Sequence, residues 1–167
     1  MSDIRIYRLP EMPFEAVNFF RTIAAAEDAL ANAYQPYSKF RVGCGVLCAD
    51  GGIFKGCNVE DAIHDATHAE EAALAAMVVT GRRDPILCVC LGALEGQPPA
   101  PVMSCGKCRQ KLMEFSLLSG LELWLHLDQI SGPAWTMESY RFAKLSDLLP
   151  YHFGPRDIGV DLAAYRR

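Results

Sequence analysis

Hydrophobic residues follow a helical period in some segments of the chain and a strand-like pattern in others. Between residues 14 and about 33, apolar residues recur every three or four positions, among them Val17, Phe20 and Ile23. This period predicts a first helix, and Pro36 marks where the helical pattern has stopped.

Two strand-like segments come next. They cover residues 40–48 and 53–59, and the Asp50-Gly51 pair between them is a strong signal for a tight turn. We therefore expect an antiparallel hairpin.

The second half of the chain alternates helical and strand-like segments. The pattern predicts an alanine-rich helix at 67–80 closed by Gly81, a strand from Ile86, a helix at 105–119 closed by Gly120, and a strand at 121–127. Residues 137–142 are a weaker strand candidate, 145–149 fit a short helical turn, and the tail after Pro155 has no assignment. A strand–helix–strand order favours parallel pairing through a right-handed crossover. We predict one α/β domain over residues 1–167, with a mixed sheet covered by helices.

The composition narrows the class of protein. Of 167 residues, 51% are hydrophobic and 22% are charged, which is typical of a compact domain and not of a disordered or fibrous chain. A net charge of -4 argues against a protein whose main partner is a phosphate backbone. The first residues lack the layout of a signal peptide, and no apolar run approaches the ~18 residues of a membrane span. We expect a cytoplasmic protein with a small-molecule substrate and without a nucleic-acid or membrane partner.

Seven cysteines give one informative pair. Cys105 and Cys108 form a C-x-x-C, whereas Cys88 and Cys90 lie inside an apolar run and are expected to be buried hydrophobic residues. In a reducing compartment such cysteines are metal ligands or core residues more often than disulfides.

Two clusters at predicted helix starts carry candidate chemistry. His68 and Glu70 lie two residues apart, about 200° around a regular helix, so they share a site only where the helix begins. Cys105 and Cys108 lie on one first turn, where the positive end of the helix dipole stabilises thiolates. One histidine and two cysteines make a three-ligand set for zinc, and the open fourth position is typical of a catalytic site. Glu70 is then the base beside the metal.

Other interpretations of the same residues stay open at this point. Thr67 and Glu70 also fit the S/T-x-x-E capping box, which explains both by backbone hydrogen bonding. Cys105 and Cys108 alone also fit a redox pair or half of a structural zinc site. The sequence contains neither a second C-x-x-C nor a His-x-x-x-His to complete such a structural site.

Five ordered segments resemble the motifs of the cytidine deaminase family. They are residues 34–43 (YQPYSKFRVG), 56–60 (GCNVE), 68–70 (HAE), 104–110 (SCGKCRQ) and 148–155 (LLPYHFGP). The signature of zinc deaminases, a His-x-Glu followed by a C-x-x-C, is among them. The resemblance implies a three-layer α/β fold with the zinc site at two helix N-termini, and hydrolysis of cytidine and deoxycytidine to uridine and deoxyuridine with release of ammonia.

The resemblance also implies roles for individual residues. His68, Cys105 and Cys108 would bind one zinc per chain, and Glu70 would carry protons between the attacking water and the pyrimidine. The backbone N–H of Ala69 would contact the base carbonyl, and Phe40 would pack on the ring. Asn58 and Glu60 would bind the ribose hydroxyls. Phe153 would reach the site of a neighbouring chain, which implies a homo-oligomer, with a tetramer favoured.

The chain departs from the family pattern at several positions. Short members usually have three cysteine ligands and an arginine after the catalytic glutamate, whereas this chain has His68 and Glu71. Because zinc with one neutral histidine and two thiolates is formally neutral, the two changes are consistent with each other. Ser104 replaces a proline, and the segment after Glu60 is one residue shorter, with His64 where a tyrosine is usual. His64 is interpreted as a polar loop residue.

Two alternatives to deamination of cytidine itself remain. One is a deaminase of a modified cytosine nucleoside, such as a nucleoside antibiotic, because the altered segment after Glu60 faces the sugar in the family. The other is a zinc-binding structural module that has lost catalysis. Glu70 argues against the second alternative, since a structural site has no use for a base beside an open position.

Overall fold

The structure is a computed structural model that describes residues 4–63, 65–129 and 136–166, so His64 lies outside the described residues. Its strands are β1 (Tyr7–Arg8), β2 (Phe40–Cys48), β3 (Ile53–Cys57), β4 (Val59–Glu60), β5 (Ala66–Thr67), β6 (Pro85–Leu94), β7 (Ala100–Pro101), β8 (Trp124–Gln129) and β9 (Tyr140–Lys144). Its α-helices are α1 (Ala16–Leu30), α2 (Ala69–Val79), α3 (Gly106–Ser119) and α4 (Leu145–Leu148). Short 3-10 helices cover Leu9–Glu11, Met137–Ser139, Pro155–Ile158 and Leu162–Tyr165.

One mixed sheet forms the centre, in the order β1-β9-β8-β6-β2-β3, with β7 paired to the end of β6. The pair β2–β3 is the expected antiparallel hairpin, and Gly51 in its turn has a φ of 86°. The pair β6–β8 is parallel, as the intervening α3 crossover requires. A separate two-stranded ladder joins β4 to β5.

Helices cover both faces of the sheet and make three layers. Alternate residues of β6 belong to different cores: Leu87 and Val89 pack toward α1, whereas Cys88 and Cys90 pack toward α2 and α3. The predicted mixed sheet covered by helices is therefore confirmed. None of the helices in the described ranges has both the length and the apolar character of a membrane span.

Glycines allow the helices to approach the sheet without an intervening layer of side chains. A Cβ at Gly43 would overlap the backbone of α1, and a Cβ at Gly56 would overlap the backbone of α2 at Ala69 and Ala73. The contact at Gly56 fixes the N-terminal end of α2, where His68 and Glu70 lie, against β3.

Several element boundaries differ from the sequence prediction. Strand β8 begins at Trp124, and the segment at 137–142 divides into a 3-10 turn and the start of β9. The strand predicted at 53–59 divides into β3 and β4 on either side of Asn58, and the two-residue strands β1, β5 and β7 were not predicted. On α1 the buried residues include Phe19 and Ala26, whereas Val17 and Phe20 are 56% and 43% exposed. The helix is as predicted, but part of the predicted apolar face points outward.

Candidate metal centre and active site

The predicted metal ligands meet where α2 and α3 begin. His68 is the residue before α2, Cys105 is the residue before α3, and Cys108 lies in the first turn of α3. The Nδ1 atom of His68 lies 3.5 Å from Cys105 Sγ and 3.3 Å from Cys108 Sγ. The two helix N-termini thus bring one imidazole and two sulfurs together.

This donor set fits zinc. Tetrahedral zinc with ordinary Zn–N and Zn–S bonds separates its nitrogen and sulfur ligands by about 3.6 Å. The two His68–cysteine distances, 3.5 and 3.3 Å, are close to that separation. Burial and the charge of Glu70 raise the pKa of the Cys108 thiol, so a cation among the donors is needed to hold it as a thiolate.

Glu70 lies inside the candidate site. It is the second residue of α2, it is 5% exposed, and its charge acts on the Cys108 thiol strongly enough to raise the pKa of that thiol in addition to the effect of burial. Its neighbour Ala69 is the first residue of the helix and is also buried. The N–H of Ala69 is one of the helix-start N–H groups without an intrahelical acceptor.

The capping box considered for Thr67 and Glu70 is formed by His68 and Glu71 instead. That interpretation was therefore wrong by one position. The helix is preceded by His68, and the carboxylate that bonds back to the His68 N–H is that of Glu71, at 2.8 Å. Because Glu71 satisfies this donor, Glu70 is not used as the cap.

Glu71 also connects the two ligand-bearing helices, a role that the sequence did not reveal. Its Oε1 lies 3.1 Å from Lys107 Nζ and 2.6 Å from Lys111 Nζ, both on α3. Burial opposes its ionisation, but the ion pair with Lys111, the hydrogen bond from the His68 N–H and the ion pair with Lys107 outweigh burial and lower the pKa of Glu71 to about 2. The signal available in the sequence was the spacing of Lys107 and Lys111, which are four residues apart and therefore lie on one face of α3.

Asn58 and Phe40, both predicted to bind substrate, lie together at adjacent strand ends. Asn58 follows β3, and its amide accepts a hydrogen bond from the Val42 N–H at 2.8 Å and donates one to the Phe40 carbonyl at 3.0 Å. The ring of Phe40 packs over Gly92. Asn58 therefore fixes the start of β2, which carries Phe40.

Glu60 lies beside the strand that leads into the metal ligand. It pairs with Ala66 in the β4–β5 ladder, two residues before His68. Hydrogen bonds from Ser38, chiefly from its side chain, and from the Tyr37 N–H lower the pKa of Glu60. An ionised carboxylate is a suitable acceptor for hydroxyl groups.

Phe153 lies on the outside of the chain. Its carbonyl accepts a hydrogen bond from Gln110 on α3 at 2.6 Å, and the residue is 60% exposed. The structure of one chain thus leaves this ring at the surface.

Cys88 and Cys90 are buried as predicted, and the fold places them beside Cys44, which the sequence analysis did not group with them. The Sγ atoms of Cys44 and Cys88 are 3.5 Å apart, and those of Cys88 and Cys90 are 3.8 Å apart. Hydrogen bonds from Cys44 and then Cys90 lower the pKa of Cys88 to about 6. Residues two apart on a strand point to the same face of the sheet, so Cys88 and Cys90 on β6 share a face, and the pairing of β2 with β6 places Cys44 on that face as well.

Comparisons with known proteins agree with this geometry. The family model described as the cytidine and deoxycytidylate deaminase zinc-binding region matches residues 20–119. A cytidine deaminase of Halalkalibacterium halodurans is 33% identical over 81% of this chain and 94% of its own length. One of Mycobacterium tuberculosis is 37% identical over 80% of this chain and 87% of its own length.

Solved structures show the same architecture. The crystal structure of cytidine deaminase from Mycobacterium tuberculosis has a TM-score of 0.64 and 33% identity, covering 81% of this chain and 97% of that chain. The structure of cytidine deaminase from Burkholderia pseudomallei has a TM-score of 0.64 and 32% identity, covering 80% and 98%.

Proposed function

This chain belongs to the cytidine and deoxycytidylate deaminase family, and we propose on that basis that it hydrolyses cytidine and deoxycytidine to uridine and deoxyuridine, releasing ammonia. The observation that carries the proposal is the buried Glu70 carboxylate beside the His68–Cys105–Cys108 donor set. A metal centre alone has no need of this carboxylate, whereas hydrolytic deamination needs a group that moves protons.

Zinc is the cofactor, and we assign one ion per chain to His68, Cys105 and Cys108. A zinc ion held there supplies a nucleophile at neutral pH, because it lowers the pKa of water. The chain provides the two thiolates at helix N-termini, where the helix dipole favours negative charge.

Glu70 is assigned the proton transfers. Its carboxylate takes a proton from the attacking water and delivers it to N3 of the pyrimidine as C4 is attacked. It then protonates the departing amino group, so one carboxylate serves as base and acid in turn. Its burial keeps bulk water away from the proton being moved.

The substrate contacts are assigned to the surrounding strand and helix ends. The Ala69 N–H binds the base carbonyl and the Phe40 ring packs on the base. Asn58 and Glu60 bind the ribose hydroxyls. The hydrogen bonds that already hold Asn58 and Glu60 support this assignment, because they keep both side chains in place before substrate binds.

We further propose a cytoplasmic homotetramer that acts in pyrimidine salvage, in which Phe153 of one chain completes the site of another. Support for the shared site is the exposure of Phe153 and Cys105 on the single chain. Support for the cytoplasm is that none of the seven cysteines, all of which the structure describes, forms a disulfide.

A substrate panel tests the proposed reaction. Purified chain is incubated with cytidine, deoxycytidine, cytosine, cytidine monophosphate and a modified cytosine nucleoside, and the loss of cytosine absorbance and the release of ammonia are followed. We expect turnover of cytidine and deoxycytidine. Turnover restricted to the modified nucleoside would overturn the proposed substrate, and zinc binding without any turnover would identify a structural module.

A further inference from the structure

A cluster of three cysteine sulfurs lies in the core directly behind the candidate active site. Cys44 on β2 and Cys88 and Cys90 on β6 belong to the same core cluster, between the sheet and helices α2 and α3. Their sulfurs all lie within 4.8 Å of one another, and all three residues are buried. These residues are separate from the donor set at the helix N-termini.

The sulfur separations suit a three-coordinate centre. A planar centre with metal–sulfur bonds of about 2.3 Å separates its sulfurs by about 4 Å, and a pyramidal centre brings them closer. The separations of 3.5 Å for Cys44–Cys88 and 3.8 Å for Cys88–Cys90 are both below the planar value. These two separations favour a pyramidal centre, the geometry of an atom with three bonds and one lone pair, and the third pair, Cys44–Cys90, lies within 4.8 Å.

Charge limits which centre can occupy this position. A charge buried in the core without compensation is costly, and the hydrogen bond with Cys88 together with burial raises the pKa of the Cys44 thiol. Three thiolates around a monovalent ion carry a net charge of -2, and around a divalent ion -1. Around a trivalent centre the complex is neutral.

We propose that Cys44, Cys88 and Cys90 form a second binding site on this chain, and that its ligand is trivalent arsenic taken up as arsenite. Three S–H protons combine with the three hydroxyl groups of arsenous acid. Three As–O bonds break, three As–S bonds form and three water molecules leave. Arsenic stays trivalent, so the step needs neither an oxidant nor a reductant.

Ser104 links the cluster to the candidate metal centre. Cys90 Sγ lies 3.7 Å from the hydroxyl oxygen of Ser104, the buried residue directly before Cys105. The binding test below does not require the chain to be active, so its outcome is independent of the proposed deamination.

Arsenite binding to the zinc-loaded full chain tests the proposal. The chain is incubated with arsenite and desalted, and arsenic and zinc per chain are measured by elemental analysis, with As–S absorption followed in the ultraviolet. We expect one arsenic and one zinc per chain. Cys88→Ala and Cys90→Ala should each weaken arsenic binding roughly tenfold or more, because two sulfurs cannot complete the three-bond centre.

The matched control is Cys48→Ala, which removes another buried thiol from the same core and the same strand, β2, but not one of the three grouped sulfurs, and which should bind arsenic normally. Thermal unfolding identifies any variant that has lost its fold. If Cys90→Ala is unfolded, Cys90→Ser, which nearly preserves the side-chain volume, is used in its place. Failure of the wild-type chain to retain arsenic would overturn the proposal. Arsenic uptake matched by zinc loss, or unchanged in the cluster variants, would also overturn it. In a parallel experiment the chain is incubated with zinc and without arsenite. Binding of a second zinc ion that is lost in Cys88→Ala would also overturn the proposal.

Discussion

The carboxylate of Glu71 accepts a hydrogen bond from the backbone N–H of His68 at 2.8 Å, while burial and the charge of the adjacent Glu70 raise the pKa of the Cys108 thiol. The two consecutive glutamates therefore have different roles. Glu71 holds the start of α2, and Glu70 lies beside the candidate metal centre. Their separate environments make the pair a direct test of which carboxylate performs chemistry.

Glu70→Gln should keep its fold and its zinc but lose turnover by about 10²–10⁴-fold, because an amide preserves shape and cannot cycle a proton. Steady-state kinetics on cytidine, with zinc measured on the same sample, checks this. The control is Glu71→Gln, which should lose about 1 kcal/mol of unfolding free energy with a much smaller change in turnover. Near-normal turnover of Glu70→Gln would contradict the proton-transfer role.

Removal of zinc should abolish activity reversibly. We expect about one zinc per chain, loss of turnover after dialysis against a chelator, and recovery on adding zinc. Cys108→Ala should lose both zinc and activity, whereas Cys57→Ala, which removes a half-buried cysteine outside the donor set, should keep its zinc. A metal-free chain with full activity would disprove the assignment of the centre.

Phe153→Ala should raise KM for cytidine if the ring completes a neighbouring site, because that site loses an aromatic surface. Tyr151→Ala is the matched control, since Tyr151 is an aromatic residue two positions away that is 98% exposed. Sedimentation at low micromolar concentration should show a tetramer for the wild-type chain. A fully active monomer, or a variant with unchanged KM, would refute the shared site.

His126 should make the fold sensitive to acid. It is 3% exposed among Phe19, Tyr140 and Phe142, and burial lowers its pKa to about 4. The nearby Asp128 acts in the opposite direction but does not offset burial. Since the unfolded chain takes up the proton near pH 6.5, the unfolding free energy falls as pH decreases from 6.5 to 4, by about 3 kcal/mol.

Urea unfolding of wild-type and His126→Leu at pH 7, 5 and 4 measures this contribution. The variant should lose less unfolding free energy on acidification than the wild-type chain, because the zinc ligands and carboxylates are the same in both proteins. Equal losses in the two chains would show that His126 does not titrate as its burial requires.

Local sequence patterns were sufficient to predict the principal helices and strands, because in these segments the hydrophobic pattern extends over many residues. They were not sufficient for α1's orientation. That helix is rich in apolar residues around much of its circumference, so Val17 and Phe20 satisfy the helical period as well as the buried Phe19 does. Two-residue strands such as β1 and β7 carry no detectable period and exist only through their pairing partners.

The candidate site divides in the same way. The ligand set was predictable because His68, Cys105 and Cys108 occur in compact motifs at helix starts. The cap was misplaced because a capping box depends on where the helix begins, and a shift of one residue moves the role from Glu70 to Glu71. The Cys44–Cys88–Cys90 cluster was not predicted, because the even spacing of the cysteines becomes informative only when the pairing and register of β2 and β6 are known.

Gly56 has a consequence for how this chain can change over evolutionary time. At this position β3 lies directly on the backbone of α2, so no side chain is present that could be made smaller or larger to adjust the spacing. The distance between the sheet and the end of α2 that carries Glu70 is therefore insensitive to ordinary substitutions in the core. If Glu60 and Phe153 contact substrate as proposed, we expect a new substrate preference to come from the more exposed segments around them, which do not carry Glu70.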